Sequence, residues 1–513
     1  MKSQSDIRPD TAGLAAGESA VPASSRIRKF VLGYIRLLLR MFFRRIEVAG
    51  LENIPSEGGG VLICWHPNGW IDGAVINTNF PYPMVAAGRH GLLRIPVLGW
   101  MMRQCGVLPV YRQQDTAADL SDDERRARNR ASIEVLARAV ADGNFAIIFP
   151  EGRSHDDPFP HPLKTGAAFL YYRAVELTPP GSHPPHIIPV ALHYSKKSIW
   201  GSQVLLTFHA PIALPPELSR PAGSEEDRKG EAQRLTKEME RVLRDVVLAT
   251  ESWALHHQLQ RARKLVRAER NARRGTRSEP PSISERVRHF SHAWRNYRLA
   301  RKLFPAETEQ LLADVSAYDW NMRALRIEDH ELDGAGWNLS TRKTMLVVVE
   351  FLVVWLVLPF FLVIGILVNL PTILLLQVLA MTTSAKDKDE ASIKLLLGAV
   401  AFPATWLVVA VLVAWGGNLL VAGYPTIHYS PLLTGLIAFA LSWFGGILVV
   451  HFRQIASEAK RALGVRFTLT RRRQAVNQLL EQRAALYERF VDLDARLEGP
   501  RATDFGGRNE RGV

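Results

Sequence analysis

His66 and Asp72 are the first side chains whose types and spacing could do chemistry. His66 follows the apolar run GVLICW (60–65) and precedes Pro67. A residue before proline favours extended geometry and proline favours the first helical position, so we expect the strand to end at His66 and a helix to begin at Pro67. If His66 folds back over that helix, Asp72 can hold one ring nitrogen and leave the other as a base. The alternative is a capping histidine beside a solvated aspartate.

A second cluster of polar residues follows the apolar run FAIIF (145–149). Its members are Glu151, Gly152, Arg153 and, further along, Lys164. Arginine presents a planar fork that fits phosphate oxygens, and lysine adds a point charge. Arg112 follows another apolar run and is expected at the same edge of the sheet. The three cations predict a site for a dianion, in which Glu151 either orients Arg153 or binds an acceptor hydroxyl.

Other residues of reactive type have a plainer interpretation. Cys64 and His66 share one face of a strand and could form a nucleophilic pair, but a cysteine in such a run is more often simply buried. With only two cysteines, the chain is not expected to have a disulfide framework or a cysteine-based zinc site. A group of metal-ligand types lies in a proline-rich segment that we interpret as a substrate loop, so no metal is expected: His155, Asp156, Asp157 and His161. There is no G-x-S-x-G elbow and no P-loop.

Short apolar runs alternate with helical patterns between about residues 48 and 215. A long charged helix is predicted at about 121–141. Strands interleaved with helices predict an α/β sheet with flanking helices and with its site at the strand ends. The predicted strands are 60–65, 84–87, 107–111, 145–149, 187–192 and 204–209.

The charge balance predicts an anionic partner. Lys and Arg number 64 against 50 Asp and Glu, a formal charge of +14. The most basic segment, 261–277, could be a nucleic-acid arm, a contact with anionic membrane lipid or a solvated helix face. Because predicted membrane helices follow this segment, we favour anionic lipid over nucleic acid as its partner, and we do not expect nucleic acid binding. The simplest interpretation is a solvated helix face with no partner.

The C-terminal half contains long uncharged stretches. No Asp, Glu, Lys or Arg occurs between Leu395 and Phe452, and only Glu350 occurs in 345–385. A membrane-spanning helix needs about 20 apolar residues, so these stretches predict an integral membrane protein. We expect spans at about 395–415 and 431–452, and a pair over 345–382 that turns near Asn369 and returns to the same side. Basic flanking segments place the catalytic part in the cytosol, and no secretory signal is expected.

These patterns predict six regions. The basic helix is interpreted as lying in the membrane interface, and its alternative is a helix packed on the following domain. The regions are a disordered tail (1–26), a basic amphipathic helix (27–48), a catalytic domain (49–215), a charged helical region (216–343), membrane-embedded helices (344–452) and a cytosolic helical tail (453–513).

Four blocks together resemble the phospholipid/glycerol acyltransferase family over roughly residues 50–212. The blocks are His66 with Asp72, Arg112 in PVYR, FPEGRS (149–154) and IIPVAL (187–192). The family more commonly has four residues between its histidine and aspartate, whereas this chain has five, PNGWI. The longer spacing is similar to the branch that contains fungal-type glycerol-3-phosphate and dihydroxyacetone-phosphate acyltransferases, whose members also carry C-terminal membrane segments.

The resemblance implies a membrane-bound O-acyltransferase of glycerophospholipid synthesis. The implied donor is acyl-CoA or acyl carrier protein, and the implied acceptor is glycerol 3-phosphate or dihydroxyacetone phosphate. It also implies that His66 and Asp72 are catalytic, that no cofactor is needed, and that the remaining residues bind substrate: Arg112, Glu151, Gly152, Arg153 and Lys164. One alternative is acylation of 1-acylglycerol 3-phosphate to phosphatidic acid. A non-catalytic lipid-binding protein would not need these residues, and a transporter would need charges within its apolar helices.

Overall fold

The computed structural model describes residues 26–94, 96–111, 121–197, 199, 201–221, 225–276, 281–333, 341–383, 390–421 and 430–505. The predicted tail over 1–26 therefore lies almost wholly outside the described residues. Contacts divide the chain into two compact units. The first is built mainly from Met1–Ala249, and the second from Thr250–Lys386 with Ile393–Glu510.

The first unit is a sheet with flanking helices. Its strands are β1 (Phe43–Ala49), β2 (Gly60–Cys64), β3 (Met84–Arg89), β4 (Val107–Val110), β5 (Phe145–Ile148), β6 (His186–Tyr194) and β7 (Ser202–Phe208). Its helices are α1 (Arg26–Phe42), α2 (Trp70–Asn79), α3 (His90–Leu93), α4 (Pro96–Gln104), α5 (Asp122–Ala141), α6 (Gly166–Leu177), α7 (Pro216–Ser219) and α8 (Glu225–Val246).

The seven strands form one sheet in the order β1-β7-β6-β2-β5-β3-β4. Every neighbouring pair is parallel except β6 and β7. The carboxyl ends of β2, β5, β3 and β4 therefore meet at one edge, where the chain after β2 carries His66 and the chain after β5 carries Glu151. The predicted α/β class and all six predicted strands are confirmed, with boundaries that move by one or two residues.

One core of this unit lies between the sheet and three helices. Apolar side chains of β2 and β5, including Val61, Ile63 and Ala146, pack against α5, α6 and α8 and are inaccessible to solvent. Helix α5 begins with a capping box in which Ser121 and Glu124 satisfy each other's backbone N–H groups. The strands that carry the site therefore rest on a rigid layer.

The predicted helix over 27–48 is too long. Helix α1 ends at Phe42, and residues 43–49 form β1, which pairs in parallel with β7. Basic residues conceal the apolar alternation of Ile46 and Val48. One face of α1 is buried through Val31, Ile35 and Leu38, whereas Ile27, Phe30 and Leu37 on another face are 53%, 72% and 51% exposed.

The turn between β2 and α2 differs from the prediction. The strand ends at Cys64 and the helix begins only at Trp70, so Pro67 is not the first helical residue. Gly69 has a φ of 56°, a conformation that glycine adopts without strain, and it delays the helix. His66 therefore lies outside the helix, which is the condition under which it can reach Asp72.

The second unit is helical. Its helices are α9 (Trp253–Arg273), α10 (Ile283–Leu303), α11 (Pro305–Leu325), α12 (Asp329–Asp333), α13 (Thr341–Leu352), a π-helical turn (Val353–Val357), α14 (Leu358–Thr383), α15 (Glu390–Val421), α16 (Pro431–Arg471) and α17 (Arg473–Phe505). Residues of α9, α10, α11 and α17 share one apolar core. Within it Arg483, only 2% exposed, donates to Glu269 Oε2 at 2.9 Å.

Two of these helices have apolar segments long enough to cross a bilayer. The segments are Leu397–Leu420 in α15 and Pro431–Val449 in α16, of 24 and 19 residues. Many of their large apolar side chains are exposed, among them Leu420 at 78% and Leu432 at 75%. Their positions agree with the predicted spans.

Helix α14 contains Pro371, and its residues on either side of the proline contact different helices. Before it, Val354, Gly365 and Asn369 contact successively earlier residues of α16. After it, Thr372 contacts Thr405, and Leu376 contacts Gly398, towards the start of α15. Helices α15 and α16 are antiparallel, since Trp406 contacts Phe439 and Ala410 contacts Gly435, so these contacts reverse direction along the helix pair. Pro371 removes a backbone hydrogen bond of this helix, the residues around it stay helical, and the predicted return of 345–382 to the same side stays a prediction.

Candidate active site

His66 and Asp72 form a directly bonded pair. His66 Nδ1 lies 2.9 Å from Asp72 Oδ2. The Asp72 side chain is inaccessible to solvent, whereas the His66 side chain keeps 11% of its surface. Asp72 accepts at Nδ1, so the ring carries its proton there and Nε2 is left as the unprotonated nitrogen. Among the residues that the structure describes, none bonds Nε2, so this nitrogen can accept a proton from a substrate.

Two further donors hold the Asp72 carboxylate. The backbone N–H of Asn68 donates to Oδ2 at 2.7 Å, and the hydroxyl of Tyr194 donates to Oδ1 at 2.5 Å. Burial and the neighbouring Asp72 charge raise the pKa of Tyr194 well above its ordinary value, so the phenol keeps its proton. Asp72 also lies in the first turn of α2, where the helix N-terminus favours a negative charge. The carboxylate is thus fixed before any substrate binds.

The FPEGRS block contacts His66 through its ring and its backbone. The Phe149 ring stacks on the imidazole at a centroid distance of 4.0 Å. Glu151 Oε1 accepts the His66 backbone N–H at 3.1 Å, and the backbone N–H of His155 donates to the His66 carbonyl at 3.2 Å. The side chain of Glu151 is completely buried. Both of its oxygens bond protein groups, so in this geometry it orients the site, and its predicted contact with an acceptor stays a prediction.

Two predicted cations, Arg153 and Lys164, belong to the segment that follows β5. Gly152 has a φ of 71°, and a Cβ atom there would lie 2.9 Å from Lys164 Nζ. The missing side chain therefore allows the ammonium to lie over the backbone next to Arg153, whose guanidinium is exposed and donates to His161 Nδ1. No carboxylate pairs with Arg153 or Lys164 in the described part of the chain. Two positive charges are thus available to an anion.

Arg112 lies outside the described residues. The strand before it, β4, is two places from β5 in the sheet, so its end is roughly 10 Å from that of β5 by ordinary strand spacing. A contact of Arg112 with the same anion stays a prediction.

Cys64 is not placed to act as a nucleophile. Its thiol is inaccessible to solvent and donates to the carbonyl of Trp65 at 3.1 Å. Burial first, and then the charges of Asp72 and Glu151, raise the pKa of Cys64 well above its ordinary value. The thiol therefore stays protonated, which favours the interpretation as a buried strand residue.

The residues of metal-ligand type form a hydrogen-bonded network. Potential ligand atoms of His155, Asp157 and His161 lie within 4.8 Å of one another. His161 Nε2 lies 2.6 Å from Asp157 Oδ2, and His155 bonds Glu151 through Nε2 and accepts the Asp157 backbone N–H through Nδ1. These bonds occupy three ring nitrogens, and Arg153 occupies the fourth. The expectation that no metal is needed stays a prediction.

Three residues of the site were not found from the sequence. Tyr194 lies at the end of β6 and Lys197 just after it, while His155 was considered only as a metal ligand. The Lys197 ammonium pairs with Asp156 Oδ1 at 2.5 Å and donates to the Pro67 carbonyl at 3.1 Å, which ties the loop after β6 to the turn that carries His66. No local pattern in the sequence marks Tyr194 or Lys197; they reach the site because β6 neighbours β2 and ends at the same edge of the sheet.

Comparison with known proteins finds a family match that contains His66, Asp72 and Glu151. Residues 45–193 match the family model described as Acyltransferase. The chain is 25% identical over 201 residues to glycerol-3-phosphate O-acyltransferase 1 of Saccharomyces cerevisiae, covering 39% of this chain and 25% of that protein. It is 31% identical over 119 residues to 1-acyl-sn-glycerol-3-phosphate acyltransferase of Borreliella burgdorferi, covering 23% of this chain and 42% of that protein.

Both alignments are partial, because the chain spans about a quarter and about two fifths of the length of these curated relatives. Among solved structures, the chain is similar to the 1-acyl-sn-glycerophosphate (LPA) acyltransferase PlsC from Thermotoga maritima. That likeness has a TM-score of 0.28 and 20% identity, and it covers 42% of this chain and 80% of the other.

Proposed function

We propose that this chain, whose residues 45–193 form an acyltransferase-family domain as the motifs predicted, transfers a fatty acyl group from a thioester donor to a glycerol-phosphate acceptor. The donor is acyl-CoA or acyl carrier protein, and the acceptor is glycerol 3-phosphate or dihydroxyacetone phosphate. The observation that carries the proposal is the bond between His66 Nδ1 and buried Asp72, which leaves Nε2 accessible at the edge of the sheet.

In the proposed reaction, His66 Nε2 removes the proton of the acceptor hydroxyl while the hydroxyl oxygen attacks the thioester carbonyl. The carbon–sulfur bond then breaks, and the sulfur leaves as a thiol after taking up the proton. Asp72 stabilises the imidazolium that exists between these two proton transfers. Because Asn68 and Tyr194 already hold Asp72, this charge is in place before the reaction begins.

The acceptor phosphate is proposed to bind Arg153 and Lys164. An arginine can donate two parallel hydrogen bonds to phosphate oxygens, and the lysine ammonium compensates the second negative charge. Both side chains belong to the segment that follows β5, as does Glu151, which bonds the backbone of His66. One segment therefore connects the anion site to the base, and it can hold the hydroxyl and the carbonyl in line.

Acylation of 1-acylglycerol 3-phosphate is the second candidate. The longer of the two alignments is with a glycerol-3-phosphate acyltransferase, and the more similar one is with a 1-acyl-sn-glycerol-3-phosphate acyltransferase. The spacing of five residues between His66 and Asp72 favours the first acceptor class. Purified full-length protein given each of the three acceptors with labelled acyl-CoA or acyl carrier protein distinguishes them by the product lipid. Absence of transfer to every acceptor would contradict the proposal.

The protein is proposed to be integral to a membrane, with the catalytic unit in the cytosol. The support is the pair of apolar segments in α15 and α16, together with Arg342 and Lys343 at the start of α13 and the basic residues after Phe452. The uncharged segment 416–430 between the two spans suits the opposite side. An anionic lipid surface is the proposed partner of the basic helix α1.

A further inference from the structure

We propose that Glu151 and His155 form a backbone clamp on His66, and that His155 is a positioning residue for the base. The inference rests on the proposed function for its effect on turnover and on geometry alone for the clamp itself. Glu151 accepts the backbone N–H of His66, and the backbone N–H of His155 donates to the backbone carbonyl of the same residue. Both polar groups of one peptide position are thus held by a single loop.

The need for a clamp follows from where His66 lies in the chain. It comes after the last residue of β2 and before the first residue of α2, so neither ladder nor helix hydrogen bonds hold its backbone. Buried backbone groups need partners, and the 151–155 segment supplies both. The position of the imidazole therefore depends on the position of that segment.

His155 is suited to hold Glu151 in place. Its ring is inaccessible to solvent and bonds Glu151 Oε2 through Nε2, while Nδ1 accepts the backbone N–H of Asp157 at 3.2 Å. An acceptor at Nδ1 leaves the single proton of the neutral ring on Nε2, where it donates to the carboxylate. The backbone N–H of His161 adds a second donor to the same oxygen at 2.8 Å.

In this arrangement Glu151 and His155 hold the backbone of His66 in position without contacting substrate. A displaced Glu151 releases the His66 N–H, and the imidazole then loses its fixed direction while its bond with Asp72 remains available. Turnover should fall because the base is misdirected, whereas the binding of donor and acceptor should change little. The expected signature is a lower kcat at nearly constant KM.

Two substitutions of similar size separate the two ends of the His155 ring. His155→Gln places an amide donor near the position of Nε2 and can still bond Glu151. His155→Asn retains only a group near the position of Nδ1, which serves Asp157. The control is His186→Asn, because His186 is the first residue of β6 and lies at the end of the strand far from Tyr194 and the site.

The decisive measurement is hydrogen exchange of the His66 amide in the full-length protein, followed by mass spectrometry at single-residue resolution. We expect roughly tenfold faster exchange in His155→Asn, consistent with loss of one hydrogen bond, and exchange close to the unmodified protein in His155→Gln and His186→Asn. Acyl transfer should show kcat reduced roughly tenfold in His155→Asn with KM values within about twofold, and largely restored in His155→Gln.

Equal exchange at His66 in the Asn and Gln variants would overturn the clamp, whether or not the protein transfers acyl groups. Protection of the β5 and β6 amides shows whether a variant is folded. If His155→Asn does not fold, Glu151→Gln provides the same test, because its single amide oxygen can no longer accept both the His66 N–H on one side and the His155 and His161 donors on the other. Faster His66 exchange with unchanged kcat would confine His155 to a structural role and would also overturn its assignment as a positioning residue.

Discussion

Tyr194 and Asp72 are 122 positions apart in the chain, yet the Tyr194 hydroxyl donates to Asp72 Oδ1 at 2.5 Å. The tyrosine belongs to β6 and the aspartate to α2, so the bond joins a strand to the helix that follows its neighbour β2. With Asn68 on the other oxygen, it leaves Asp72 one preferred direction in which to hold the imidazole.

Removal of this hydroxyl should slow the reaction. Tyr194→Phe retains the ring and loses a hydrogen bond to a charged group, worth about 1.5–3 kcal/mol. We expect kcat to fall roughly tenfold, with the donor and acceptor KM nearly unchanged. Steady-state kinetics measure this, and Tyr171→Phe is the matched control, because among the described residues its hydroxyl bonds only the Ser219 carbonyl, at 3.4 Å. Equal losses in both variants would show that the effect is general to buried tyrosines.

The anion site should be visible in the Michaelis constant of the acceptor. Arg153→Ala removes an exposed guanidinium, and Lys164→Ala removes the ammonium over Gly152. We expect each to raise the acceptor KM roughly tenfold or more, with a smaller change in kcat, because a charged hydrogen bond to phosphate is lost. Arg173→Ala is the control, since Arg173 pairs with Glu134 and Glu176 outside the site. An unchanged acceptor KM in both variants would show that the acceptor phosphate does not bind Arg153 and Lys164.

The strands, and the meeting of the motif residues at one edge of the sheet, could be predicted from the sequence for a physical reason. A buried strand appears as a short apolar run, and reactive residues directly after such runs must meet at the carboxyl edge of a parallel sheet. That reasoning brought His66, Glu151 and Arg153 together before any contact was known. It also predicted the α/β class, and the resemblance of the four motifs agrees with the family match of residues 45–193.

The partners of these residues could not be predicted in the same way. Tyr194 and His155 act through contacts across the sheet, and no local pattern marks a tyrosine at the end of β6 as the support of a distant aspartate. The late start of α2 depends on the φ of Gly69, which a single sequence does not reveal. The division between α1 and β1 was missed because charge masked the strand pattern of 43–49.

Helix α1 should attach the catalytic unit to acidic membranes. Its exposed residues Ile27, Phe30 and Leu37 share a face with basic neighbours, although its opposite face is buried. We expect a fragment of residues 1–249 to bind vesicles that contain acidic lipid, and salt to weaken the binding because lysine and arginine provide part of the attraction.

Vesicle co-sedimentation tests this attachment. Phe30→Ser combined with Leu37→Ser should reduce the bound fraction several-fold, because apolar area that enters the interface is lost. Ile199→Ser, which changes an exposed apolar residue elsewhere in the unit, should not. Binding that is insensitive to salt and to the double substitution would contradict an interfacial role for α1.

The apolar helices should depend on one close glycine contact. A Cβ at Gly445 would lie 2.6 Å from the Cα of Gly365, so Gly445→Ala must separate α14 from α16. Close approach of small residues stabilises helix pairs in membranes, and we expect a clear loss of thermal stability in detergent. Gly416→Ala is the control, because a Cβ there meets nothing within 4 Å. Equal melting temperatures for the two variants would show that the contact does not hold the helices together.

The central claim is that His66 is the base of an acyl transfer. His66→Ala should lower kcat at least about 100-fold, the lower range for general-base catalysis, and Asp72→Asn should lower it as well. Only 11% of the imidazole surface is open and the ring stacks on Phe149, so the melting temperature should fall by a few degrees while the protein stays folded. Measurement of acyl transfer and thermal unfolding on the same purified full-length His66→Ala protein tests this most directly. The account predicts folded protein with almost no turnover, and folded protein with near-normal turnover would contradict it.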